Sequence, residues 1–349
     1  MLHVNNYSYE NSYFAAANGY TGFRSYFDSV FNNEKLDMTF ILKGGPGTGK
    51  STLMKRILCH FEKSGYQRDA IFCSSDPESL DGVIISRGAA RVAVIDGTAP
   101  HERDARLPGV CDVLVNLGEG FDLRELASRK SEATELSKKK KEAYSKAYKH
   151  LFAAACVAKD IDYNYSNYAD YTEAEKHARS LVEGACGSPV KEIRRLLKSS
   201  FGYKGYQRIT DEVNSEKRTV RISGDGVGEY ILIRKIHDVL EERGTLSEVY
   251  ISPFSDDIIE GVSTENTAWT VSRTGGDVDA SAKGARSDNT LSSLFRIHDE
   301  LLDMATDEFS RASKYHFALE KIYSSAIDFS FNDRVFCSLS AEIDGILEK

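Results

Sequence analysis

The chain lacks paired cysteines, long apolar runs and an excess of positive charge, and each absence removes a class of protein. Its six cysteines form no CxxC pair and have no histidine at zinc spacing, so neither a structural zinc nor a disulfide framework is expected. Cys59, Cys73, Cys111, Cys156, Cys186 and Cys337 read instead as reduced, mostly buried thiols of a cytoplasmic protein. The stretch from Met1 to Phe14 has neither a basic start nor an apolar core, which argues against a signal peptide. No run approaches the roughly 18 apolar residues that cross a bilayer, so a membrane is not an expected partner. A formal net charge of −8 argues against wholesale binding to nucleic acid, though not against a local basic patch.

What remains is the composition of a soluble globular protein, 41% hydrophobic and 28% charged. A chain of 349 residues can bury a large core without staples. At about 150 residues per domain, roughly two domains are expected.

The most informative stretch runs from Met38 to Thr52. Met38-Thr-Phe-Ile-Leu-Lys43 is β-prone and apolar, as a buried parallel strand requires. Gly44, Gly49, Lys50 and Ser51 then match G-x-x-x-x-G-K-[ST], and Leu53, Ile57 and Phe61 recur at helical spacing beyond them. Glycines let the backbone turn its N–H groups inward where a side chain would collide with phosphate oxygens. The helix N-terminus adds partial positive charge at the same point. Lys50 is expected to reach the β- and γ-phosphates and Ser51 to ligate Mg²⁺. Gly44, Gly45, Pro46, Gly47, Thr48, Gly49, Lys50, Ser51 and Thr52 are thus the expected nucleotide-binding residues, with Thr52 in the first helical turn. ATP is the expected nucleotide, because no guanine-reading Asn/Thr-Lys-x-Asp motif is evident.

Such a site also needs a carboxylate at the end of a neighbouring strand to hold the metal's water shell. Arg91-Val-Ala-Val-Ile-Asp96 supplies one, followed by Gly97-Thr98 to turn the chain. Between the two motifs, Ala70-Ile-Phe-Cys73 reads as a short strand, and Asp76, Glu78 and Asp81 follow it. Strand ends face the ligand crevice, but Asp-Pro and Asp-Gly also form ordinary turns. Both readings stand for Asp76, and the turn is favoured for Asp81. After Asp96, His101 or Glu102 is a candidate to position the attacking water, and Arg103 or Arg106 to neutralise developing phosphate charge. An exposed charged loop has the same composition.

The chain repeats itself. Gly45, Gly47, Gly49, Leu53, Ile57, Glu62 and Gly65 fall without a gap on Gly224, Gly226, Gly228, Leu232, Ile236, Glu241 and Gly244. Gly19-Tyr-Thr-Gly22 resembles Gly202-Tyr-Lys-Gly205, and Ile161-Asp-Tyr-Asn-Tyr165 resembles Ile327-Asp-Phe-Ser-Phe331. The expected fold is therefore α/β, a tandem duplication of a P-loop-type parallel-sheet domain, each copy with a helical hairpin extension. Residues 1–190 would form the first copy, with its extension at about 123–185, and 191–349 the second, with its extension at about 291–349. In the second copy Glu229 stands in place of Lys50 and Tyr230 in place of Ser51. A carboxylate repels triphosphate where lysine attracts it, by roughly 4 kcal/mol at close range. No carboxylate near Thr267–Ser272 matches Asp96, so the second copy is expected to be structural or regulatory.

Leu123 to about Lys159 is rich in Ala, Glu, Lys, Leu and Arg without Gly or Pro, and reads as a long helix. A second helix is expected from about Thr172 to Val182. The basic run Lys138–Lys141 reads as a solvated face. Tyr163, Tyr165 and Tyr168 are either a contact surface or packing at the hairpin tip, and residues 275–290 have loop composition.

Phe14-Ala-Ala-Ala-Asn-Gly-Tyr-Thr-Gly-Phe23, Leu42 to Ser51, Ser75-Asp-Pro-Glu-Ser-Leu-Asp-Gly82 and Ile95-Asp-Gly-Thr-Ala-Pro-His101 together resemble a bacterial family of duplicated P-loop ATPases. That family is known mainly from Gram-positive anaerobes and spore formers. The resemblance covers nearly the whole chain and implies a cytoplasmic ATP-binding protein with two P-loop-type domains. Family members often keep an intact second loop, from which this sequence departs at Glu229 and Tyr230. The expected function is that of a Mg-ATP-dependent ATPase with one competent site in the N-terminal half. A small-molecule or nucleotide kinase using Asp76, and a binding module that holds ATP without turnover, are the alternatives. The two copies either pack against each other or each meets its equivalent in another chain, so a homo-oligomer or a protein partner is expected beside nucleotide.

Overall fold

The computed structural model describes residues 9–185, 187–209 and 217–348. The first eight residues, part of the stretch read as no signal peptide, and Cys186, read as a thiol, lie outside them. The N-terminal half contains β1 (Asn11–Phe14), β2 (Ala16–Gly19), β3 (Gly22–Ser25), α1 (Phe27–Val30), β4 (Met38–Lys43), α2 (Lys50–His60), β5 (Gln67–Phe72), β6 (Leu80–Arg87), β7 (Ala90–Asp96), β8 (Asp112–Asn116), α3 (Leu123–Ser128), α4 (Lys130–Tyr165) and α5 (Tyr171–Leu181). The C-terminal half contains β9 (Arg194–Leu197), β10 (Ser199–Gly202), β11 (Gly205–Arg208), β12 (Arg218–Ser223), α6 (Gly228–Glu242), β13 (Glu248–Ile251), β14 (Ile259–Ser263), β15 (Thr267–Val271), β16 (Val278–Asp279), α7 (Asn289–Ser325) and α8 (Phe329–Leu347).

One 12-stranded sheet runs through both halves in the order β16-β12-β15-β14-β13-β9-β1-β5-β6-β7-β4-β8. The halves meet at β1 and β9, which pair antiparallel with Phe14 opposite Leu197. Outward from that junction the strands follow β1-β5-β6-β7-β4-β8 on one side and β9-β13-β14-β15-β12-β16 on the other. The fold is mixed α/β and the sheet mostly parallel, with a correction to the expected all-parallel sheet. β6 pairs antiparallel with both β5 and β7, and β14 does so with both β13 and β15. Asp81, favoured as a turn residue, lies instead in β6, the longest strand, because Leu80 and Val83 to Ile85 are buried on both faces of the sheet.

One face of the sheet packs against α2, α5, α6 and α8 in a single apolar core that includes Leu53, Ile57, Leu232, Ile236, Leu339 and Ile343. Phe27, Phe31 and Leu36 cover the other face over Ile41, Ile71 and Ile95. Only the fold class of the helical extensions follows the expectation. The predicted helix 123–159 breaks at Arg129 into α3 and α4, and α4 continues to Tyr165. It does not fold back on α5 as a hairpin. It runs antiparallel along α7, since Ile161 and Tyr165 at its end pack on Leu291 while Glu125 before its start meets Ser325.

The seam is built from small residues. Ala143, Ala147, Leu151 and Ala154 form a buried stripe on α4, and Leu302, Ala305, Phe309 and Ala312 one on α7. Positions at three- and four-residue spacing fall on one helix face, so each stripe faces its partner as a continuous row. Side chains of Asp170, Asp288 and Asp328 cap α5, α7 and α8. The free cysteines correct another expectation: Cys59, Cys156 and Cys337 are exposed and Cys73 and Cys111 half-buried. Among the described residues no helix is long and apolar enough to cross a membrane.

Phe309 joins α7 to Phe201, Tyr144 and Tyr148, and is 3% exposed. Phe309→Ala should cost about 3–5 kcal/mol, read as a lower urea midpoint.

Candidate active site

Flanked by β7 and β8, β4 buries Phe40, Ile41 and Leu42 and ends at the glycine loop. The loop turns through φ +72° at Gly47 and +84° at Gly49, where an L side chain is strained. α2 starts at Lys50, so the first helical turn brings its partial positive charge to the end of the loop. Thr48 is 1% exposed and its hydroxyl donates to the Gly45 carbonyl at 2.9 Å. Gly44, Gly45, Pro46 and Gly47 are half-buried, and Thr52 is exposed on α2.

Lys50 is 8% exposed. Its Nζ donates to the carbonyls of Gly44 at 3.0 Å and Gly45 at 2.9 Å, and lies 3.6 Å from Asp96 Oδ2. Asp96 ends β7 opposite Leu42, one strand from the loop. Its Oδ1 accepts the Thr98 N–H at 2.9 Å and hydroxyl at 2.6 Å, which leaves Oδ2 facing Lys50. Ser51 Oγ accepts the Leu80 N–H at 3.0 Å. The structure thus brings Lys50, Ser51 and Asp96 to one end of the sheet.

The loop is walled by the other half of the chain. A methyl group on Gly45 would lie 2.9 Å from the Tyr323 ring, and one on Gly47 2.6 Å from the Glu320 carbonyl oxygen. Asn332 of α8, 6% exposed, donates to the Thr48 carbonyl at 2.8 Å. No local pattern announces these three residues.

Behind the loop, a buried pair departs from the favoured reading of Asp81 as a turn residue. Asp81 is 4% exposed, and the pairing of Gly82 with Ile95 sets it beside Asp96 on the neighbouring strand. His101 Nε2 lies 3.4 Å from Asp81 Oδ2, and its ring stacks on Phe27 at 4.3 Å. Glu102 is exposed. The two arginines are engaged elsewhere. Arg103 donates to the Phe31 carbonyl at 2.7 Å and Arg106 to Asp28 at 2.7 Å. Asp76 accepts from the hydroxyls of Ser79 at 2.7 Å and Tyr203 at 3.2 Å.

The second loop, between β12 and α6, has the opposite chemistry. Glu229 is 7% exposed and folds back so that Oε2 accepts the Gly226 N–H at 3.1 Å. Burial pushes its carboxyl above the usual range, against the N–H groups of Glu229 itself and Gly226, which favour the ionised form. Asp225 accepts the Tyr165 hydroxyl at 2.7 Å and the Ala282 N–H at 2.9 Å. Tyr165 is buried and Tyr168 donates to Asp288 at 2.5 Å, so these two pack at the helix tip, whereas Tyr163 is 77% exposed. Short β16 pairs with β12 within the segment expected to be loop. The basic run is solvated except at the half-buried Lys140.

A nucleotide-bound Mg²⁺ takes most of its ligands from water and phosphate and needs only one or two protein oxygens. The Ser51 hydroxyl and Asp96 carboxylate are the oxygens of that kind beside the loop, and they fit. Among the described residues no group of three or more His, Cys, Asp or Glu is arranged to hold a metal ion. Comparisons with protein-family models, with curated proteins and with solved structures find no match.

Burial alone would hold His101 neutral, but the charges of Asp81 and Asp96 outweigh it and its pKa lies above the usual value of 6.5. The charged pair therefore stabilises the fold fully below about pH 6.5, and this contribution is lost as pH rises through the raised value. The urea midpoint of the wild type should fall as pH rises above about 6.5, and His101→Gln should flatten that fall.

Proposed function

We propose that the chain is a Mg-ATP-dependent ATPase of the P-loop type, with one competent site in its N-terminal half. The observation that carries this reading is Lys50, buried at the start of α2, held by the loop carbonyls and 3.6 Å from the carboxylate that ends the adjacent strand. In hydrolysis of this type the protein mainly positions groups and stabilises charge. Lys50 would exchange its two carbonyl partners for phosphate oxygens, and Ser51 and Asp96 would hold the metal and its water shell. Bound Mg²⁺ supplies charge neutralisation at the phosphates. Held by Asp81, which the strand register sets beside Asp96, His101 is proposed to order water there, ahead of the exposed Glu102.

The C-terminal half is proposed to be a duplicate of the first that has lost this chemistry. The matching strand order outward from the β1–β9 junction supports it, with β6 and β14 the reversed strands of each side. So does the placement of both glycine loops between a strand and a helix. Cytoplasmic residence is supported by five free cysteines.

A second reading, nucleotide binding without turnover, is favoured by the way the segment after Asp96 is tied down. Lys43 holds the Gly97 carbonyl at 2.9 Å and Asp104 at 2.7 Å, and Arg103 and Arg106 are bound away from the loop. The kinase reading has no such support, because both Asp76 oxygens already accept hydrogen bonds.

Mg-ATP binding and single-turnover hydrolysis separate these readings. The wild type should bind and hydrolyse, Lys50→Ala should bind at least tenfold more weakly, and Asp96→Asn should bind but turn over about 10²-fold more slowly. Binding without turnover by the wild type would establish the second reading, and no binding would refute both.

A further inference from the structure

We propose that the cavity over the second glycine loop binds a small organic cation, of the class of aliphatic di- and triamines. The cavity encloses about 980 Å³. It lies at the end of β12, between the N-terminus of α6, the last turns of α4 and the first turns of α7, as its lining by Ser223, Glu229, Ile161 and Phe295 shows. In an open α/β sheet this is the crevice where ligands bind.

Its chemistry is the reverse of a phosphate site. The loop N–H that would meet an anion already meets Glu229, whose carboxylate forms part of the floor. Six carboxylates line the cavity against three lysine and arginine side chains and one histidine. All three lysine and arginine side chains have other contacts: Lys235 lies 3.9 Å from Glu175, the Arg273 guanidinium sits 4.0 Å over the Tyr206 ring, and Arg234 donates to the Asp257 carbonyl. Asp162, on the α4 wall, has no ion pair among the described residues. A triphosphate entering here would face net negative charge, whereas an ammonium group would be attracted.

The walls add a second recognition element. Tyr20 stacks on Phe254 at 5.1 Å, and its hydroxyl lies 2.9 Å from His298 Nε2. Tyr20, Phe254 and Phe295 all line the cavity, so its walls give an organic cation aromatic surface and apolar contact for its methylene chain. A bare metal ion would gain nothing from such walls. An aliphatic polyamine matches both the carboxylates and the rings. This inference does not rest on nucleotide binding at the first loop.

The test is isothermal titration of the full chain with spermidine, without nucleotide, at about 150 mM NaCl to screen loose surface association. Saturable binding at one site is expected. Glu229→Gln should weaken it at least tenfold. Ala158→Trp, which fills the cavity from the α4 wall without changing charge, should abolish it while leaving the circular dichroism spectrum and urea midpoint unchanged. Asp162→Asn gives a second charge variant if Glu229→Gln fails to fold. The proposal is overturned if spermidine does not saturate, if Ala158→Trp binds it as the wild type does, or if pyrophosphate displaces it from the same site.

Discussion

Everything at the two glycine loops depends on the close packing of α4 against α7. The buried stripes of this seam alternate alanines with Leu151, Leu302 and Phe309. Because the helices are antiparallel, each carries its C-terminal end to the loop of the opposite half. Tyr165, at the end of α4, binds Asp225 in the second loop. Glu320 and Tyr323, near the end of α7, lie against Gly47 and Gly45 in the first. A shift along the seam would therefore move the walls of both loops together, since close-packed interfaces slide between discrete arrangements rather than deform smoothly.

The two glycine loops also carry opposite chemistry. A glycine loop leading into a helix gathers N–H groups and a positive dipole end, and that arrangement calls for negative charge. In the second loop the chain provides the charge itself through Glu229. In the first, the helix instead opens with Lys50, whose amine is held by backbone carbonyls and by Asp96 nearby. An internal carboxylate closes a loop to phosphate, whereas a lysine adds to its attraction. The charge that the chain supplies at each loop thus distinguishes the proposed nucleotide site from the proposed amine site.

The sequence by itself determined what is local. The strand, loop and helix of residues 38–61 form as expected because glycine conformations, β-prone residues and helical spacing act within a few residues of one another. Asp96 at a strand end, the helicity of residues 130–159 and the reversed charge at Glu229 follow from the same short-range rules. Tertiary structure alone decided what depends on distant partners. β6 and β14 are reversed because of whole-sheet pairing, and the Asp81-Gly82 pair at the start of β6 also reads as a turn. Asp81 joins the site only because the β6–β7 register sets it beside Asp96, and His101 reaches it from a loop. The choice of α7 rather than α5 as the partner of α4, and the approach of Asn332 to Thr48 across 284 positions, come from packing between segments far apart in the chain. Short-range periodicity carries no record of which apolar stripe will meet which, because any matching stripe could bury the same surface.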